Sequence, residues 1–476
     1  MDVMGGLNFL SVKEGLKKMR TGALAPPDLQ VACRQQIECL NPRLNAFITI
    51  AEVPRTAEIQ AEELGLASGN TLAGIPIAVK DLFDTANLRT TAGSRFFQDN
   101  IPTTDAAVVA KLKRAGAFII GKTNTHEIAL GVTSVNPHFG PCRNPWDPAR
   151  ISGGSSGGSA VAVASGMALA AVGTDTGGSV RIPASLCGVV GLKPTYGRVS
   201  LRGVLPLSWN LDHAGPLTRN VGDAALMLQV MAGFDPDDSY SVDAPVGEYQ
   251  AQLEDGISGW RVALGVGEYV EQADTEVRRA VERAADVLAT AGAEVQAVEC
   301  SFLHQGALAN GLVTQADAAA VHRLRLIEHP DWFGDDVRHR LEAGRDLPAA
   351  DYILARHTQA DIKRRLASFF ETFAILLLPT TPNTAPVIEG DDSVAQARRL
   401  TRFTAPFNLA GLPAVSIPCG TDGRGLPIGL QMIAGAWHEA GLLRAARAYE
   451  NVSGWMGWQP PGMGQAGTPR IVGPER

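Results

Sequence analysis

Three short stretches carry the residue types that could do chemistry. The first is DTGGSVR, Asp175 to Arg181, with Ser179 behind two glycines. Glycine tolerates φ > 0, so such a turn folds sharply, and its successive N–H groups can converge on one anion. A serine there is a candidate nucleophile beside its own oxyanion hole. The second is GGSSG, Gly153 to Gly157, which formally matches the G-x-S-x-G elbow of α/β-hydrolases. That elbow needs a strand just before its serine. The residues before it, Asn144 to Ser152, read NPWDPARIS and are loop chemistry. The third is Lys80, at the end of the apolar run GIPIAVK, Gly74 to Lys80. A serine hydroxyl needs a base, and none of the nine histidines sits in a telling context. Burial lowers a lysine pKa. Lys80 would need to fall about three units from ~10.4, roughly 4 kcal/mol, to be half neutral near pH 7. Taken singly, each stretch has a plainer reading: a tight turn that binds nothing, a flexible linker, a solvated lysine or one paired with Asp81.

The elements around these residues alternate between helix and strand. Gly74 to Lys80 fits a buried strand. Val108 to Ala115 reads as a helix and Ala117 to Ile120 as the next strand. Ser159 to Ala171 and Val221 to Met231 read as helices. Arg261–Val266, Thr275–Ala291 and Glu294–Val298 give strand, helix, strand. Ala374–Leu378, Leu412–Ile417 and Pro427–Ile433 read as strands, and Glu439–Glu450 as a last helix. The start is mainly helical over residues 1–66. Ser11 and Glu14 form a capping-box pattern, Pro26-Pro27 opens a second helix, and residues 56–66 suggest a third. The expected fold is α/β, with a large mixed sheet covered by helices on both faces. The expected organisation is one domain over 1–456 and a Pro/Gly-rich tail over 457–476.

Bulk composition narrows the function. The chain has 476 residues, 45% hydrophobic and 19% charged, which is globular. Net charge is −7, without the basic balance that general nucleic-acid affinity needs. The six cysteines form no C-x-x-C pair, so no metal site is expected. Reduced thiols in a cytoplasmic protein are expected instead. No signal peptide and no membrane span is expected.

Together, these stretches resemble the amidase signature family, serine hydrolases with a Ser–Ser–Lys triad. The resemblance runs over about residues 10–455. It is carried by GIPIAVKD (Gly74 to Asp81), GGSSGGSAVAVASG (Gly153 to Gly166) and GTDTGGSVRIPASLCGVVGLKPT (Gly173 to Thr195). KTN at Lys122, FGPCRNPWD at Phe139 and NLAGLPAVSIP at Asn408 add to it. The resemblance implies Ser179 as nucleophile, Ser155 as the bridging serine after a cis peptide bond, and Lys80 as base. It implies an oxyanion hole from the N–H groups of Thr176, Gly177, Gly178 and Ser179. Asp175, Arg181 and Ser156 are expected to brace the turn. Ala129, Leu130, Gly131 and Val132 are expected to line the acyl pocket. No cofactor is implied.

Within the family, one branch is the A subunit of glutamyl-tRNA(Gln) amidotransferases. That branch typically has Met and Asp where Thr125 and His126 stand here, a Glu near Val135 and an Asp near Thr401. A missing carboxylate would leave a buried substrate ammonium unpaired. The expectation is therefore a stand-alone hydrolase, monomeric or homodimeric, of a small uncharged amide, with a carbamate or ester also within reach. The alternatives are the glutaminase subunit of an amidotransferase, or a hydrolase of carboxylated ureido compounds. Arg340 is the residue that could hold a substrate carboxylate. Residues 300–400 are expected to shape the entrance, with His322, His339 and His357 on helix surfaces.

Overall fold

The computed structural model describes residues 6–52, 71–389 and 393–462. The mixed sheet expected from the alternation of apolar runs is there. Its strands are β1 (Phe47–Ile50), β2 (Pro76–Lys80), β3 (Phe118–Thr123), β4 (Ala170–Thr174), β5 (Val190–Lys193) and β6 (Ala214–Thr218). The second half adds β7 (Arg261–Val266), β8 (Glu294–Glu299), β9 (Ile375–Pro379), β10 (Ala414–Thr421) and β11 (Pro427–Ile433). Their order across the sheet is β1-β3-β2-β4-β6-β5-β10-β11-β9-β7-β8. β2 runs parallel to β3 and β4, and β7 parallel to β8 and β9. The remaining neighbours are antiparallel.

Several strands are buried along their whole length, β2, β4, β6, β9 and β11 among them. That is why β2 and β9 read as apolar runs. Helices flank the sheet. Gly157–Ala164 packs on β2, β4 and β6, and Thr275–Thr290 on β8 to β11. The N-terminal region is mainly helical, with Val12–Arg20 opened by the Ser11/Glu14 capping box and Pro26–Leu44 opened by its prolines. Among the described residues no helix is long and apolar enough to cross a membrane.

The structure corrects the sequence reading in three places. The helix expected over Ser159–Ala171 stops at Ala164, and Gly166 turns the chain at φ 68. Ala170 onward is β4. An Ala/Val run carries no periodicity that separates helix from strand. Strands β1, β5 and β6 were not expected, being short and interrupted by Gly, Pro or Thr. His322 lies buried against Phe333 rather than on a surface, whereas His339 and His357 are exposed. The helix expected over 56–66 and the tail from 463 lie outside the described residues.

Candidate active site

The parallel register of β2 and β4 does the first positioning. Ile77 faces Ala170 and Val79 faces Val172, so both strands end at the same edge. Lys80 closes β2 and Thr174 closes β4. Lys80 Nζ donates to Thr174 Oγ1 at 2.7 Å and lies 2.6 Å from Ser155 Oγ. Lys80 is fully buried. Burial pushes its pKa down to about 7, with partial opposition from the more distant Asp175 and Asp212 carboxylates. Those partners are hydroxyls, which can accept from an ammonium or donate to a neutral amine.

Ser155 follows a cis Gly154–Ser155 peptide and precedes the helix Gly157–Ala164. Its carbonyl accepts from Thr125 Oγ1 at 2.9 Å, from Ser134 Oγ at 3.3 Å and from the His126 N–H at 3.3 Å. Ser156 joins the two glycine turns. Its N–H donates to Ser179 O at 3.1 Å, its Oγ donates to Thr174 O at 3.1 Å, and the Thr174 N–H returns to its Oγ at 3.2 Å. The structure thus brings Lys80, Ser155, Ser156, Thr174 and Ser179 together. The Ser179 hydroxyl makes no hydrogen bond with a described residue, and the residue is 4% exposed.

The turn Asp175–Gly178 rests on a buried ion pair. Arg181 Nε and Nη2 donate to Asp175 Oδ2 and Oδ1 at 3.0 and 2.9 Å. The remaining donors of Arg181 reach Thr404 O, Gln431 Oε1 and Asn408 Oδ1. Burial opposes the charge on Asp175, but Arg181, Lys193 and Asn408 hold its carboxyl well below the usual range. Asp175 also accepts from the N–H groups of Gly178 at 2.8 Å and Val180 at 3.1 Å. The Gly178 N–H is therefore spent, contrary to its expected place in an oxyanion hole. The N–H groups of Thr176, Gly177 and Ser179 have no acceptor among the described residues. Gly178 has φ 135, and a Cβ there would fall 2.3 Å from Thr404 Oγ1, so the position admits only glycine.

Sequence reasoning missed several neighbours. Asp212 accepts from Thr176 Oγ1 at 2.6 Å, and burial raises its pKa to about 6. Thr404 Oγ1 donates to Gly177 O at 2.6 Å, and Asn310 Nδ2 to Thr176 O at 3.2 Å. Thr404 and Asn310 come from segments with no motif of their own, and a lone Asp before β6 gives no signal. The expected acyl wall, Ala129 to Val132, is buried, and Val132 lies against Gly154. Arg340 is largely buried on the helix Asp335–Arg345, with Nε donating to Asp336 Oδ1 at 2.8 Å. No group of His, Cys, Asp and Glu among the described residues is arranged to hold a metal.

A buried lysine beside a serine, a glycine turn with unspent N–H groups, and a mixed sheet beneath them define a serine hydrolase. The chain belongs to the amidase family, whose model matches residues 29–443. It is a hydrolase of carbon–nitrogen bonds. It is 37% identical over 471 residues to the A subunit of glutamyl-tRNA(Gln) amidotransferase from Synechococcus sp. (strain RCC307), covering 93% of this chain and 97% of that one. A solved structure of the same subunit from Thermotoga maritima superposes with TM-score 0.82 at 35% identity, over 95% of this chain and 98% of that one. A chain from a vestigial protein complex, described with the origins of an s-triazine catabolic enzyme, superposes at TM-score 0.87 and 34% identity, over 93% and 98%.

These likenesses overturn the expectation of a stand-alone amidase set apart from the amidotransferase branch. That expectation rested on Thr125, His126, Val135 and Thr401. Four side-chain differences do not outweigh a likeness to that branch spanning nearly the whole of both chains.

The buried ion pair yields a stability prediction. Arg181→Met leaves the buried Asp175 carboxylate without its ion-pair partner and should cost on the order of 3–5 kcal/mol in urea unfolding. Arg181→Met with Asp175→Asn in one chain should cost less. Equal losses would show that the charge on Asp175 is not what makes Arg181 necessary.

Proposed function

We propose that this chain is the amide-hydrolysing subunit of an assembly of the amidotransferase type, releasing ammonia from glutamine or a similar amide that bears a carboxylate. The observation that carries this is the buried Lys80–Ser155 contact of 2.6 Å, in a chain that is like its amidotransferase relatives from end to end. In this reading, neutral Lys80 takes the Ser155 proton while Ser155 takes that of Ser179. Ser179 Oγ attacks the amide carbon. The N–H groups of Thr176, Gly177 and Ser179 hold the developing oxyanion. The proton returns through Ser155 to the leaving nitrogen, and ammonia departs. Water then cleaves the Ser179 ester and frees the acid. For the relay to run, the Ser179 hydroxyl must close on Ser155, as catalytic hydrogen bonds often do only once substrate is bound.

Arg340 is the proposed partner of the substrate carboxylate, and the Ala129–Val132 wall suits its methylene chain. This replaces the small uncharged amide expected from the sequence. Partner chains, rather than this acidic one, would carry any contact with tRNA.

Thr401 marks a difference within this reading. Its Oγ1 donates to Ala397 O at 2.8 Å, and its methyl group faces Gly177. A glutamine ammonium would meet no carboxylate at that position.

Two measurements test the proposal. Ammonia release from glutaric acid monoamide, with kcat/KM followed against pH, should rise through about pH 7 to a plateau as Lys80 loses its proton. Ser179→Ala should lower it by on the order of 10³ or more. A flat profile, or substantial activity in Ser179→Ala, would remove the assignment. In addition, Thr401→Asp should raise kcat/KM for glutamine relative to glutaric acid monoamide by about tenfold, the worth of one charge-assisted contact. No change in that ratio would place the ammonium elsewhere.

A further inference from the structure

Between Arg340 and Ser155 stand two side chains that the proposed mechanism does not use. Asp336 Oδ1 accepts from Arg340 Nε at 2.8 Å, and Asp336 Oδ2 lies 3.1 Å from His126 Nε2. His126 Nδ1 lies 3.2 Å from Thr133 Oγ1. The His126 main-chain N–H donates to Ser155 O. One residue therefore holds the peptide of the bridging serine with its backbone and the carboxylate partner of Arg340 with its ring.

The ring is a rigid spacer. A Cβ on Gly131 would fall 2.2 Å from His126 Nε2, so the acyl wall and the imidazole are in closest contact. The loop that carries both is held in an unfavourable backbone state, with Ile128, Ala129 and Ser134 at φ 45, 62 and 55. Such residues persist only where their surroundings fix them. A second carboxylate supplies that constraint. Glu127, fully buried, accepts from the Gly334 N–H at 2.8 Å with Oε2, and with Oε1 it meets Ser94 Oγ and His138 Nε2, each at 2.8 Å. The acyl-wall loop and the helix bearing Arg340 are thus pinned to each other at Glu127 and at Asp336. Burial opposes the charge of Asp336, yet His126 and Arg340 keep its pKa low, so it remains a carboxylate that can orient both.

We infer that His126 and Asp336 are positioning residues that set Arg340 against Ser155 and so fix which carboxylate-bearing amide the site accepts. The inference rests on the proposed role of Arg340.

The test compares glutaric acid monoamide with valeramide, which has the same chain length and no carboxylate. For Asp336→Asn and for His126→Gln, kcat/KM for glutaric acid monoamide should fall by about tenfold more than kcat/KM for valeramide, chiefly through KM. Asp336→Glu, which keeps the charge, should recover part of the loss. Glutarate binding by calorimetry reads the same contact without turnover and should weaken in parallel. Equal loss on both substrates, or an unchanged KM and an unchanged glutarate affinity, would overturn the inference. Labelling of Ser179 by a fluorophosphonate separates the two levels. Wild-type protein that is labelled yet shows no preference for glutaric acid monoamide over valeramide would remove the role of Arg340 and of this pair, leaving the nucleophile in place. Wild-type protein that is neither labelled nor active would remove the proposed function and, with it, the inference.

Discussion

A fully buried lysine with no carboxylate in contact is the constraint on which the site depends. An ammonium buried in that way is costly, and the cost is relieved when the group gives up its proton. The fold creates the situation by ending β2 and β4 side by side, so that Lys80 meets Thr174 and Ser155 rather than solvent. Asp175 and Asp212 are near enough to oppose the shift but are occupied by Arg181 and by Thr176 with nearby main-chain N–H groups. Were either carboxylate to form an ion pair with Lys80, the amine would be held in its charged form and could not serve as a base.

The turn over this lysine needs the opposite treatment. Asp175 must stay charged to gather the N–H groups of Gly178 and Val180, and Arg181 beside it keeps it so. A buried ion pair of this kind is weak evidence of net stability, since its desolvation cost is large. Its role here is geometric. It fixes the turn so that the N–H groups of Thr176, Gly177 and Ser179 are left without an acceptor among the described residues, with Asn310 and Thr401 beside Gly177. Two charged side chains are therefore committed to shaping the backbone, and one lysine is kept from pairing.

Much of this was legible in the sequence because it is local. The strand before Lys80, the glycines around Ser179 and Ser155, and the helix after Ser11 each follow from short patterns. What stayed hidden depends on contacts distant in sequence. Asp212, Thr404 and Asn310 reach the turn from three separate segments, and no spacing links them to it. His126 entered the sequence reading only as a departure from the amidotransferase pattern, and its place beside Ser155 stayed hidden until the fold set Asp336 against it. The Ala/Val run before β4 hid the end of a helix, since small apolar residues suit a buried helix and a buried strand alike. The expectation of an enzyme set apart from the amidotransferase branch failed for a related reason: a few side chains near the site were weighed above a likeness to that branch over nearly the whole chain.

The central claim is that Ser179, served by Lys80 through Ser155, takes the acyl group. The most direct measurement is mass spectrometry of the protein quenched during turnover of a slow activated ester. The account predicts an added acyl mass on the peptide that contains Ser179, absent from Lys80→Met. An acyl mass on the peptide that contains Ser155, or turnover with no covalent adduct at all, would contradict it.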